Sequence, residues 1–265
     1  MHDIVFVLAG FLVGLVVGLT GVGGGSLMTP ILIFFFGVKP VLAVGTDLLF
    51  AAVTKFGGSV RLARARLIDW RVVLQLSAGS IPAALLTLWV LARNGPAGEQ
   101  VQHWITTGLG VALLLTAAAT FYKAIRGPVL AAHSPHKLVH PRAASRPRHW
   151  SLPLLFGSVI GSLVTLTSVG AGAIGVTVLL LLYPLLPLPR IVAADIAYAV
   201  PLTLVAGLGH ASMGSVDWAL LAKLLAGSLP GIWLGSHLMQ HTPERLVRSL
   251  LSVLIAFAGI KLITL

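Results

Sequence analysis

The sequence predicts an all-α polytopic membrane protein, with about ten hydrophobic segments arranged as two inverted five-segment repeats. Three observations carry this. Apolar segments follow one another along nearly the whole chain, the charges collect between them, and the second half repeats the first. Of 265 residues, 57% are hydrophobic and 9% charged. A soluble domain averages about 25% charged residues, so the bilayer must solvate most of this chain.

The apolar segments fall at about 3–20, 22–36, 40–60, 70–92 and 103–122, then 150–168, 170–187, 190–210, 217–237 and 245–264. A full crossing takes about 20 residues. The segments beginning at 22 and 170 are shorter and open on glycines, as half-helices or tilted spans would. Residues 4–19 resemble a signal-peptide core. No Lys or Arg precedes them, however, and a similar segment opens the second half, so 3–20 reads as a retained span.

Between the halves, 123–149 carries Lys123, Arg126, Lys137, Arg142, Arg146 and Arg148, four prolines and no acid. Such a stretch buries too little apolar surface to fold alone. It reads as a basic cytoplasmic linker joining a first repeat, 1–122, to a second, 150–265. Arg61, Arg64, Arg66 and Arg71 form a second basic loop. Lys and Arg collect in cytoplasmic loops, and two crossings between the basic loops keep both inside. Both chain ends then lie outside. The same rule explains the net charge of +11 without nucleic acid. A multi-pass protein of a bacterial inner membrane is the expected setting.

The repeat is explicit. Residues 69–82, DWRVVLQLSAGSIP, and 217–230, DWALLAKLLAGSLP, are identical in seven of 14 columns at an offset of 148. Asp47 and Asp195 pair at the same offset, and Gly23 and Gly25 pair with Gly170 and Gly172 at one residue less. Five segments per copy is an odd number, so the second copy inserts upside down. The charges agree. The Arg-rich loop after segment 3 corresponds to 211–216, which has no cation. Inverted repeats are typical of secondary transporters, whose sites lie near the midplane where the repeats meet. A duplication serving only the fold is the plainer alternative.

Candidate chemistry follows from these matched points. Thr20, Gly21, Gly23, Gly24, Gly25 and Ser26 lie in one glycine break, and Thr167, Ser168, Gly170 and Gly172 in the other. Glycines weaken a helix and free backbone N–H groups that lipid cannot satisfy. A half-helix starting there aims its positive end at a cavity and suits an anion. Close helix packing through small residues is the competing reading.

Asp47 and Asp195 are the most deeply placed of the seven acids. An ionised carboxylate at the bilayer centre costs about 2.5–3.5 kcal/mol on insertion scales, so such a group faces the bundle interior. It would carry a coupling proton or shape the cavity beside Thr46. Its competing role is a helix cap. Lys55, eight residues after Asp47, either pairs with it, attracts an anion, or snorkels to the interface. Its repeat mate is Thr203.

Other chemistry is not indicated. His133, His136 and His140 sit in the basic linker with no acid, which argues against a metal site. Trp70, Trp104, Trp150 and Trp218 stand at segment starts, as an aromatic belt does. There are no cysteines. No nucleophile-elbow, P-loop or HExxH pattern occurs, so neither an enzyme nor a cofactor is expected.

LTGVGGGSLMTP, then AVGTDLL, VRLARARLIDW and AGSIP, resemble the sulfite exporter TauE/SafE family of membrane transporters. AADIAYAVPLTLVAGLGHASMGSVDW and AGSLPG resemble that family's second half. The resemblance implies gradient-driven transport of small sulfur-containing or carboxylate anions such as sulfite or organosulfonates. TSVGAG in place of a second GVGGG, and aspartates at 47 and 195 where the family often has a small hydroxyl residue, are departures from its pattern. A passive anion channel and a membrane assembly partner without transport are the rivals.

Overall fold

The computed structural model describes residues 2–20, 25–95, 98–132, 151–238 and 244–263, and every regular element among them is a helix. In chain order these are α1 (His2–Thr20), α2 (Gly25–Phe34), α3 (Pro40–Arg64), α4 (Trp70–Asn94) and α5 (Glu99–Ala132). They are followed by α6 (Ser151–Thr167), α7 (Ala173–Leu182), α8 (Leu188–Ser212), α9 (Trp218–Leu238) and α10 (Glu244–Ile263). Five apolar stretches are long enough to cross a membrane: Pro40–Arg64, Trp70–Asn94, Gln100–Phe121, Leu188–Ser212 and Trp218–Gly235. Ile4–Leu19, Ser151–Thr167 and Ser252–Leu262 are shorter apolar helices. The protein is multi-pass.

Local chemistry sets the helix ends. Pro40 opens α3 where its missing N–H costs nothing. Arg61 and Arg64 lie in the last turn of α3, at the negative end of its dipole. Arg66 then takes a left-handed φ of 55°, and Leu67 N–H bonds back to Leu62 O. The repeated Asp-Trp pair is a helix start. Asp69 Oδ1 accepts from Arg71 N at 3.2 Å, and Asp217 Oδ1 from Leu220 N at 2.9 Å. At the other end of the first half, α5 runs through residues 123–132 of the basic stretch. The rest of that stretch, with His133, His136 and His140, and Trp150 just beyond it, lie outside the described residues.

The main packing partners come from opposite halves. α1 packs on α9, α4 on α6, α3 on α8 and α5 on α10. The first two contacts are backbone against backbone. A Cβ at Gly10 or Gly14 would strike the carbonyl of Leu224 or Ser228, and one at Gly157 or Gly161 that of Leu76 or Ser80. Gly79 and Gly227 face the carbonyls of Leu154 and Val7 in the same way. Small residues let helices approach this closely in a bilayer, where association rests on packing rather than on hydrophobicity.

The buried core divides in two. One cluster gathers residues of α3 to α8 around Tyr183 and Tyr198, and the other joins α1, α2, α3, α5, α9 and α10 around Met28 and Phe50. Outward faces carry large exposed apolar groups such as Leu74, Leu155, Leu181 and Phe257. Lipid, not water, is the solvent such a surface requires.

Candidate functional site

The α3–α8 contact holds the polar centre. Asp47 is the eighth residue of α3 and Asp195 the eighth of α8, and both are buried. Neither caps its helix: the capping positions are Lys39 and Pro187. The carboxylates therefore point into the protein rather than completing a helix start.

Three further elements close on them. From α2, buried Thr29 donates its hydroxyl to Asp47 Oδ2 at 2.5 Å. From the α6–α7 turn, Ser168 lies beside the same carboxyl. α7 comes close enough to Asp195 that a Cβ on Gly175 would meet its Oδ1. Tyr198, one helical turn beyond Asp195, is buried within its electrostatic reach.

Lys55 sits within this group. It is buried, and its Nζ donates to the carbonyl of Ala171 at 3.0 Å. It therefore reaches inward and does not snorkel. The charges acting on its ammonium are Asp195 first and Asp47 second. Its repeat mate Thr203 spends its hydroxyl on its own helix, donating to Ala199 O at 2.8 Å.

The second glycine break shapes the wall of the centre. α6 ends at Thr167, whose hydroxyl accepts from Val169 N at 3.1 Å. Ser168 takes a left-handed φ of 59°, and Gly170 and Gly172 adopt φ of 129° and 135°. Only glycine enters that last region without strain. The turn brings the N-terminal end of α7 beside Lys55, so a helix dipole and an ammonium meet. Several buried polar atoms here have no hydrogen-bond partner among the described residues: Asp47 Oδ1, Ser168 Oγ and the Tyr198 hydroxyl. Buried polar groups are rarely left so unless something else fills the site.

A search with family models matches the sulfite exporter TauE/SafE model over residues 6–262. The chain belongs to the sulfite exporter TauE/SafE family. Among curated proteins, the probable membrane transporter protein YjnA of Bacillus subtilis (strain 168) is 35% identical, covering 97% of this chain and 98% of its own. The probable membrane transporter proteins YunE and YdhB of the same organism are 25% and 24% identical over 98% of their lengths. No solved structure matches the chain.

The TauE/SafE sequence motifs thus fall unevenly on the structure. Thr167, Ser168, Gly170 and Gly172 form the break between α6 and α7. Asp47, Lys55 and Asp195 meet beside it. Thr46 is buried but turned elsewhere, and its hydroxyl accepts from Asp217 N at 3.1 Å, tying α3 to the start of α9. Gly21, Gly23 and Gly24 lie outside the described residues. Thr20, Gly25 and Ser26 stand at the adjoining ends of α1 and α2, and the placement of the Thr20 and Ser26 side chains also lies outside them.

Sequence reading missed Thr29, Tyr198 and His210. Thr29 had a signal, since Thr177 lies 148 residues on, as Asp195 does from Asp47. Tyr198 stands three residues after Asp195, the spacing of one helix face. His210 had no sequence signal. It is buried in α8, and its Nε2 pairs with Thr165 O of α6 at 3.0 Å. That bond ties two helices together.

Proposed function

We propose that this TauE/SafE protein is a secondary transporter of a small anion, of the sulfite or organosulfonate kind, across a bacterial inner membrane, driven by an ion or proton gradient. One observation carries the reading. A buried lysine, two buried repeat-mate carboxylates and the positive end of a broken helix converge where α3 crosses α8. Charged groups inside a membrane protein mark solute or proton pathways.

Packing supports two inverted repeats as the frame. Gly10 and Gly14 correspond to Gly157 and Gly161 at an offset of 147, and Leu224 and Ser228 to Leu76 and Ser80 at 148. The carbonyl each glycine faces obeys the same correspondence. An exchange of α1–α9 for α6–α4 is what a pseudo-twofold axis demands. In this reading 1–122 and 150–265 are the repeats, and the basic linker is cytoplasmic.

The anion is held by the glycine breaks, with Thr167, Ser168, Gly170 and Gly172 from one repeat and Thr20, Gly21, Gly23, Gly24, Gly25 and Ser26 from the other. Asp47 and Asp195 carry coupling protons, and Lys55 is the counter-ion. Proteoliposome flux tests this. Asp47→Asn weakens proton-driven uptake of the anion while the protein still expresses and inserts. Unchanged flux with unchanged pH dependence removes the proton role. Flux that neither saturates nor responds to a collapsed proton gradient makes the protein a channel.

A further inference from the structure

Tyr183 and Tyr198 are both fully buried in one core cluster, and the fold treats their hydroxyls differently. Tyr183 donates to Gln75 Oε1 at 2.7 Å. The Tyr198 hydroxyl is also shut off from solvent, and it makes no hydrogen bond among the described residues. A buried hydroxyl left in this way costs free energy. Ser and Thr in a helix have a fallback in a carbonyl of the preceding turn, and Thr203 takes it, donating to Ala199 O at 2.8 Å. A tyrosine hydroxyl stands at the far end of a rigid ring and cannot turn back to that carbonyl.

Packing does not account for the oxygen. At the offset of 148, Tyr198 corresponds to Phe50, which is buried in the other core cluster. Both repeats therefore bury an aromatic ring at this place, and only the second adds a hydroxyl. The place is beside the polar centre. Tyr198 lies three residues after Asp195, one turn on along the same side of α8. α7 closes on that side at Gly175, where a Cβ would meet Asp195 Oδ1. The centre also holds Asp47 Oδ1 and Ser168 Oγ, two more buried atoms with no partner among the described residues.

Resting on the anion-transport reading, we propose that Tyr198 binds the solute, its hydroxyl donating a hydrogen bond to an oxygen of a small oxyanion. The bond forms only with solute present, so the empty protein keeps an unspent donor. A sulfonate or carboxylate suits it, because a charged oxygen is a strong acceptor. The donor comes from one repeat alone, and so gives a pseudo-symmetric cavity one orientation for its solute.

A pair of tyrosine variants tests this. The full-length protein in nanodiscs is titrated calorimetrically with methanesulfonate, isethionate and acetate, and is melted without ligand. Tyr198→Phe gives the second repeat the residue that the first already buries, and no protein group loses a bond. Its ligand-free melt is expected to hold or rise, while Kd for the anions rises about ten- to a hundredfold. Tyr183→Phe is the control, with a lower melt and an unchanged Kd. A Tyr198→Phe protein that melts lower and binds as before overturns the proposal, because the hydroxyl then serves the fold. Unchanged melt with unchanged Kd overturns it as well. Where melt and affinity fall together, an ortho-fluorinated tyrosine at 198 decides, being a stronger donor of nearly the same shape. A tighter Kd supports the bond, and an unchanged one overturns it. Failure of the native protein to bind any of the three anions is a separate result, which takes down the anion-transport reading and this proposal with it.

Discussion

The two halves bring matching acids and unequal bases to the centre. α3 contributes Asp47 and, two turns on, Lys55. α8 contributes Asp195 and, at the corresponding place, Thr203. Outside the centre the halves correspond closely, down to which glycine faces which carbonyl. Symmetry is thus kept where backbones pack and broken where charge sits. Lys55 gives the first half an ammonium where the second has a hydroxyl.

The sharpest way to break this comparison is to move the charge. Lys55→Thr removes one partner from a buried charge group, a loss of about 3–5 kcal/mol, and flux should fall on the order of a hundredfold or more. Combining it with Thr203→Lys restores the ammonium from the opposite repeat. Recovery of part of the lost flux is expected if the two positions are equivalent, and no recovery means that they are not. Next comes Thr29→Val, which takes the hydroxyl from Asp47. A hydrogen bond to a charged group contributes about 1.5–3 kcal/mol, so melting should fall and flux should drop by roughly tenfold or more.

Two stability measurements sharpen the symmetric side. Gly14→Ala and Gly161→Ala each push a Cβ into a carbonyl of the facing helix, at about 1–3 kcal/mol of overpacking. Thermal melts should show matched losses, and a marked inequality would separate the two interfaces. The smallest effect is expected from Tyr183→Phe. The buried Tyr183 hydroxyl donates to Gln75 Oε1 at 2.7 Å, joining the α7–α8 loop to α4. Its loss should cost about 0.5–1.5 kcal/mol and leave anion affinity unchanged.

The helical frame was legible because hydropathy and helix starts are local properties. Asp69 and Asp217 were visible as a repeated pair before they were visible as caps. The acids were legible for another reason: a carboxylate deep in an apolar stretch has few places to go, and Asp47 and Asp195 went to the centre. Lys55 remained ambiguous on the sequence, because a long side chain either snorkels or turns inward, and only the position of the Ala171 carbonyl decides. Thr46 misled, since its neighbour Asp47 faces the centre while its own hydroxyl serves the start of α9. His210 was illegible, as its partner is a backbone carbonyl 45 residues away in sequence.

The pairing of α1 with α9 has a consequence for how the chain is made. α1 ends at Thr20 and its partner begins at Trp218, so roughly 200 residues must be synthesised in between. At about 5–20 residues per second that is a wait of about 10–40 s. Throughout it the glycine face of α1 waits with its neighbour still unmade. α6 has no such wait, because α4 precedes it. Of these two pairings, that of α1 is therefore locked later, and a chaperone or insertase that shelters small-residue faces would find its client there.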